Sequence, residues 1–149
     1  LRKNVNKLPE EVIKDIPEKR IRAADYAADL ETIRINRWHM FDAHEKKVGS
    51  LDTSSQNIDH DMLQSGWVYV VTNITALETG TKPTSISIGY VRGAIYNILT
   101  RQTPANDNDS VDYVGQVILR EHDKVRACFK GATAGDTAEV FINGYKIRR

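Results

Sequence analysis

The stretch CFKGATAGDTAEVFING, Cys128 to Gly144, decides how the rest of this chain is read. Gly131 and Gly135 stand in a run of small residues, which is the composition of a phosphate cradle. Such a cradle works because glycines let the backbone wrap the phosphate while a following helix aims its free N–H groups at the anion, with a lysine and a hydroxyl beside them. Here Gly135-Asp136 runs into Thr137-Ala-Glu-Val-Phe-Ile-Asn, rich in β-branched and aromatic residues, and no Gly-Lys-Ser/Thr follows. Before the glycines, Lys124-Val-Arg-Ala-Cys-Phe-Lys sets polar Lys124, Arg126 and Lys130 against apolar Val125, Ala127 and Phe129, the period of a half-buried strand. The stretch therefore reads as a β-hairpin, with Gly131 and Gly135 as turn residues and Phe129 and Val140 in the core.

Working outward, the same texture extends back to about Glu31. ETIRINRWHMFDA alternates around Ile33 and Ile35, and the polar stretch from Glu45 to Asp61 reads as a long loop. GWVYVVTNITALE gives a strand over Trp67–Ala76, and SISIGYVRGAIYNILTR gives two strands joined at Tyr90-Val-Arg-Gly93. QTPANDNDS is a turn cluster, VDYVGQVILRE a strand and HD a turn. Seven or eight short strands with turn chemistry between them, and no βαβ alternation, predict a mainly β chain, an antiparallel sandwich or jelly roll. In a strand body of this kind the single Cys128 reads as a small buried hydrophobe.

Residues 1–30 differ in kind. LPEEVIKDIPEKRIRAADYAADL, Leu8 to Leu30, is dense in alanine and interleaved charge. Pro9 followed by Glu10 and Glu11 suits a helix start and predicts a short helix to about Asp15, broken at Pro17. Beyond it, Ile21, Ala24, Tyr26 and Ala28 form a thin apolar face, too small for an independent bundle, so this segment must lie on something else. The expected organisation is an N-terminal, partly helical arm over 1–30 and a β-sandwich domain over 31–149.

The chain has 149 residues, 21 Lys and Arg against 20 Asp and Glu, a net charge of +1 and one cysteine. That length buries a core without disulfides. The near-zero charge supplies no global field for nucleic acid or anionic lipid, and no apolar run approaches the roughly 18 residues of a membrane span. A soluble, non-exported protein that binds neither membrane nor nucleic acid is the expectation.

Candidate chemistry is sparse. Asp59, His60 and Asp61, with His39 and His44 upstream, suggest a metal site, but on a strand the two aspartates share a face while His60 points away. Asn106 to Asp112, NDNDSVD, resembles the opening of a calcium loop but lacks the glycine and glutamate such a loop requires, so it reads as a solvated turn. No Gly-x-Ser-x-Gly occurs and no histidine neighbours Cys128 in sequence, so neither enzyme activity nor a cofactor is expected. Arg20, Arg22, Arg34 and Arg37, with Arg148 and Arg149, form a basic stripe if the first and last strands pair, and Tyr26, Trp38 and Tyr145 are interleaved with them. Acids at Glu18, Asp25, Asp29 and Glu31 blunt that field, so the mixture suits a protein contact better than nucleic acid.

GWVYVVTNITALETGTKPTSISIGYVRGAIYNIL, Gly66 to Leu99, followed by LREHDKVRACFKGATAGDTAEVFING, Leu119 to Gly144, resembles the C-terminal β-sandwich of accessory virion proteins of tailed bacteriophages. The resemblance implies a structural, non-catalytic role: capsid decoration or another accessory position in the particle, with the sandwich outside and the N-terminal arm as attachment. It implies virion localisation and, as partners, capsid, neck or tail proteins and further copies of this chain. Under that reading Arg20, Ile21, Arg22, Tyr26, Arg34 and Arg37 are the partner-binding residues, because arginine and aromatic anchors dominate such contacts. Two alternatives stand beside it. One is a carbohydrate- or receptor-binding sandwich using exposed Trp38, Trp67 or Tyr90, and the other a metal-dependent jelly-roll enzyme built on the histidines.

Overall fold

The computed structural model describes residues 38–149. They form eight strands: β1 (Trp38–Val48), β2 (Ser55–Asp61), β3 (Trp67–Thr79), β4 (Ser85–Arg92), β5 (Ile95–Gln102), β6 (Ser110–Leu119), β7 (Lys124–Lys130) and β8 (Thr137–Arg148). The helices expected within 1–30, and the strand residues expected at Ile33 and Ile35, lie outside the described residues.

Two four-stranded sheets result, in the orders β1-β8-β3-β6 and β2-β7-β4-β5. The neighbours β1 and β8, β3 and β6, β2 and β7, and β4 and β5 are the pairs of one long antiparallel ribbon, rolled so that successive pairs fall in alternate sheets. That is jelly-roll connectivity, and it leaves β1 and β6 as edges of one sheet and β2 and β5 as edges of the other.

Alternation generates the core directly. Ile58 on β2, Ile86 and Ile88 on β4, and Val125, Ala127 and Phe129 on β7 point in from one sheet, and Ile74, Ala76, Val140 and Ile142 from the other; all are buried in one cluster. Phe129 and Val140 are fully buried, as the sequence predicts. In β3 the register slips between Val71 and Asn73, so inward-facing Tyr69 and Val71 are followed by Ile74 and Ala76 after one extra residue.

Two sequence expectations are corrected. The polar stretch Glu45 to Asp61 is not one long loop: β1 continues to Val48 and Ser55–Asp61 is strand β2, paired with β7 from Ser55↔Lys130 to Asp61↔Lys124. Its outward positions are polar, and of Gln56, Ile58 and His60 on the inward side Ile58 alone is aliphatic, so the apolar alternation is too thin to read. Nor is Cys128 to Gly144 a hairpin. β7 pairs with β2 and β4, whereas β8 pairs with β3 in the opposite sheet. The loop between them crosses the sandwich, where inner faces stand about 10 Å apart rather than at the ~4.8 Å of a ladder. Both glycines are turn residues, as the sequence predicts: Gly131 turns with φ +70°, and Gly135 lies in the turn closed by Asp136 N donating to Thr133 O (3.0 Å), but is not left-handed, and a Cβ there would meet nothing within 4 Å. The loop is held instead by β1–β2: Gly49 N donates to Asp136 O (2.9 Å) and Leu51 N to Ala134 O (3.0 Å).

Beneath this loop, Glu78 continues the inward face of β3 and is 1% exposed. Its Oε2 accepts from Thr133 N at 2.8 Å, while Oε1 has no hydrogen-bond partner among the described residues. Burial raises its pKa, the Thr133 bond works against that rise, and nearby Asp136 adds to it.

Candidate functional site

The partner-binding residues expected from the sequence, Arg20, Ile21, Arg22, Tyr26, Arg34 and Arg37, lie outside the described residues, as does the side chain of Trp38. Trp67 and Tyr90, expected to be exposed, are half-buried and pack against the core. Lys146 Nζ and Arg148 Cζ lie 4.7 and 5.0 Å from the Trp67 ring centre, and His39 meets that ring edge-on at 5.0 Å. Arg92 covers Tyr90 at 5.3 Å. Neither ring stands fully exposed, which corrects the exposure expected of Trp67 and Tyr90 in the binding-module reading.

The histidines diverge. His44 stacks on Phe141 and contacts Glu139 at 2.8 Å, and His60 Nδ1 contacts Glu45 at 2.7 Å. Among the described residues no three His, Cys, Asp or Glu side chains gather as metal ligands. The Asn106 to Asp112 turn serves its neighbour: Asn108 Oδ1 accepts from Gly80 N and Asp107 Oδ1 from Lys82 N, both at 2.9 Å. At the opposite end, Asp123 accepts from Arg92 Nη2 (2.7 Å) and Arg120 N (2.9 Å). Burial acts to raise the Asp123 pKa, but these bonds outweigh it and hold the carboxyl below its usual range.

What the strands do assemble is an ordered outer face on the β2-β7-β4-β5 sheet. The pairing register lays its outward residues in rows: Asp61, Lys124, Val91 and Tyr96; then Asp59, Arg126, Gly89 and Ile98; then Asn57, Cys128, Ser87 and Arg101; then Ser55, Lys130 and Ser85. Asp59 and Asp61 thus share the outer face while His60 turns the other way. Arg126 grips Asp59 through both donors, Nε to Oδ1 at 2.7 Å and Nη2 to Oδ2 at 2.8 Å. That hydrogen bonding raises the guanidinium pKa above its ordinary value, against the effect of burial.

Tyr96 is the aromatic of this face. It starts opposite Val91, and its hydroxyl reaches back to Ser87 Oγ at 3.0 Å. The ring therefore spans the position of Gly89, the one outward residue between them without a side chain. Arg126 stands beside it, 5.6 Å from the ring centre. A Cβ on Gly89 would strike the backbone carbonyl of Asn97, at the point where the β4–β5 register shifts between Ile88 and Gly89. Burial raises the Tyr96 pKa, and the Ser87 bond and the charges of Arg126 and Arg101 work against the rise. Cys128 is buried beneath this face, with Sγ 3.2 Å from Ser55 Oγ.

The sequence alternation picks out Lys124, Arg126 and Lys130 as one polar side of β7. It carries no information on what lies beside them, because Asp59 and Tyr96 come from β2 and β5, 67 and 30 residues away from Arg126 in sequence.

No protein-family model and no curated protein sequence matches the chain. Among solved structures it is similar to the N-terminal cellulose-binding domain of Cellulomonas fimi β-1,4-glucanase C, with 11% identity over 75% of this chain and 88% of that one and a TM-score of 0.36. It is also similar to a Podospora anserina GH26-CBM35 β-(1,4)-mannanase, with 8% identity over 74% of this chain, 28% of that one and a TM-score of 0.44. A third is a Bacillus endospore appendage protein, with 15% identity over 74% of this chain, 89% of that one and a TM-score of 0.40. At these values the likeness extends to the β-sandwich alone.

Proposed function

We propose that the β-sandwich is a non-catalytic, glycan-binding module whose ligand lies on the outer face of the β2-β7-β4-β5 sheet. The observation that supports this most is the cluster over two adjacent rows of the outer face in which Arg126 grips Asp59 on one side and stands against the Tyr96 ring on the other. Sugars present apolar C–H faces ringed by hydroxyls. They are met by an oriented ring or aliphatic surface with planar hydrogen-bonding groups around it, which here are Tyr96 and Ile98 beside Asp59, Arg126 and Asn57. Holding these groups rigid before binding reduces the ordering cost of association. Electrophoresis of the full chain through gels containing individual soluble polysaccharides tests this. Retardation by at least one of them is expected, and its loss in a folded Tyr96→Ala variant. Unretarded migration in every gel, or full retardation of Tyr96→Ala, would refute the proposal.

A second reading is favoured by a different observation. Large aliphatic side chains stand exposed on three of the four edge strands: Met40 and Val48 on β1, Ile95 and Ile98 on β5, Val114 and Ile118 on β6. Exposed apolar edges suit contact with other proteins. They are compatible with a structural component of a phage particle, attached through the N-terminal arm with virion proteins or further copies as neighbours. Analytical ultracentrifugation of the wild type and a Val114→Asp/Ile118→Asp variant examines the self-association part. Indistinguishable monomeric sedimentation of both across concentration would count against it.

A further inference from the structure

We infer that the glycan bound on this face is an acidic one, a polysaccharide of uronic acids whose ring carboxylates are taken by Arg101 and Lys130. The inference rests on the glycan-binding reading above and adds the ligand's charge.

Six Asp, Lys and Arg side chains point outward from this sheet: Asp59, Asp61, Lys124, Arg126, Arg101 and Lys130. The two acids are already matched, Asp59 by the two-pronged bond from Arg126 and Asp61 by Lys124 at 3.8 Å. Arg101 on β5 and Lys130 on β7 are left exposed, with no acidic partner among the described residues. They flank β4, Lys130 opposite Ser85 and Arg101 opposite Ser87. Two strand spacings and one row separate their Cα atoms, about 12 Å, within reach of two long side chains converging on one carboxylate or taking two along a chain.

Between and beside them lie the hydroxyls of Ser55 and Ser85 and the exposed amide of Asn57, groups suited to sugar hydroxyls. Arg101 also stands near enough to the Tyr96 phenol for its charge to be felt there, so cation and aromatic belong to one surface. A neutral glycan would leave this excess positive charge unused. A carboxylate on each ring would meet charge-assisted donors, a guanidinium and an ammonium, at its edge.

The test uses the full chain with polygalacturonate and alginate, each beside its esterified form, so that charge changes while the backbone does not. Binding to at least one acid form is expected, weaker by about tenfold or more for its ester, and weaker by about tenfold or more in Arg101→Gln/Lys130→Gln, with a flatter dependence on salt. The variant's thermal transition should match the wild type, since both side chains are exposed and have no acidic partner among the described residues. Ester and acid bound equally, or binding to neutral glycans alone, would overturn the acidic ligand while leaving the glycan-binding reading in place. Loss of every glycan interaction would overturn both. A single-stranded oligonucleotide bound as tightly as the uronates, and weakened equally by the double variant, would overturn sugar recognition in favour of general polyanion binding.

Discussion

Replacing Glu78 with glutamine should stabilise the sandwich at neutral pH and flatten its pH dependence. The carboxylate lies at the inward-facing end of β3 with Oε2 on Thr133 N and Oε1 without a partner among the described residues. Burial raises its pKa above the usual 4.5. The folded protein therefore holds this proton more tightly than the unfolded chain does. This group's contribution to stability is most favourable below the unfolded value and falls as pH rises towards and through the folded one, so the whole penalty is present above it. An unsatisfied buried acceptor of this kind costs about 1–3 kcal/mol. Glutamine keeps an oxygen for Thr133 N and cannot ionise. Its amide leaves an N–H unpaired, an offset that does not change with pH. The quantity to measure is the stability of Glu78→Gln minus that of wild type, by urea unfolding at about pH 4 and about pH 8. It should be more positive at the higher pH, by about 1.4 kcal/mol for each pH unit by which the folded pKa exceeds the unfolded one, with Tm moving in the same direction. A difference that is constant across this range, or that grows towards acid, would refute the reasoning.

Three further outcomes follow from particular contacts. Gly89→Ala should lower Tm clearly, since its Cβ would collide with the Asn97 carbonyl, whereas Gly135→Val should stay within about 0.5 kcal/mol of wild type because its backbone is not left-handed and the space is open; thermal scans of the two variants side by side decide this. Phe129→Ala, at a fully buried position, should cost about 3–5 kcal/mol by denaturant titration. Asp123→Asn should cost about 1–3 kcal/mol at neutral pH, because it weakens the bonds to Arg92 and Arg120 N. The Asp123 pKa is lowered, so this stability is present above the unfolded carboxylate value and lost as pH falls through the folded one; a deficit that persisted unchanged into strong acid would contradict that assignment.

Local chemistry made much of the β body legible. Period-two alternation places Val125, Ala127 and Phe129 on one side of β7 and Lys124, Arg126 and Lys130 on the other, because successive side chains on a strand point to opposite faces whatever lies beyond them. Turn residues mark the breaks at Gly93, at Asn106 to Asp109 and at His122 for the same local reason. Strand partners were not legible. Alternation states that Phe129 and Val140 both face inward, and this holds equally for neighbours in one sheet and for residues facing each other across the core. Only long-range pairing puts β7 beside β2 and β4 and sends β8 to β3, turning an expected hairpin into a crossing. The candidate site belongs wholly to that second level. Asp59, Tyr96, Arg101 and Arg126 come from three strands separated by turns and loops, and each alone reads as an ordinary surface residue. Registers set by the burial of Ile58, Ile88, Leu99 and Ala127 bring them onto one face, so the core that the sequence specifies also fixes, through the pleat, which polar side chains meet outside it.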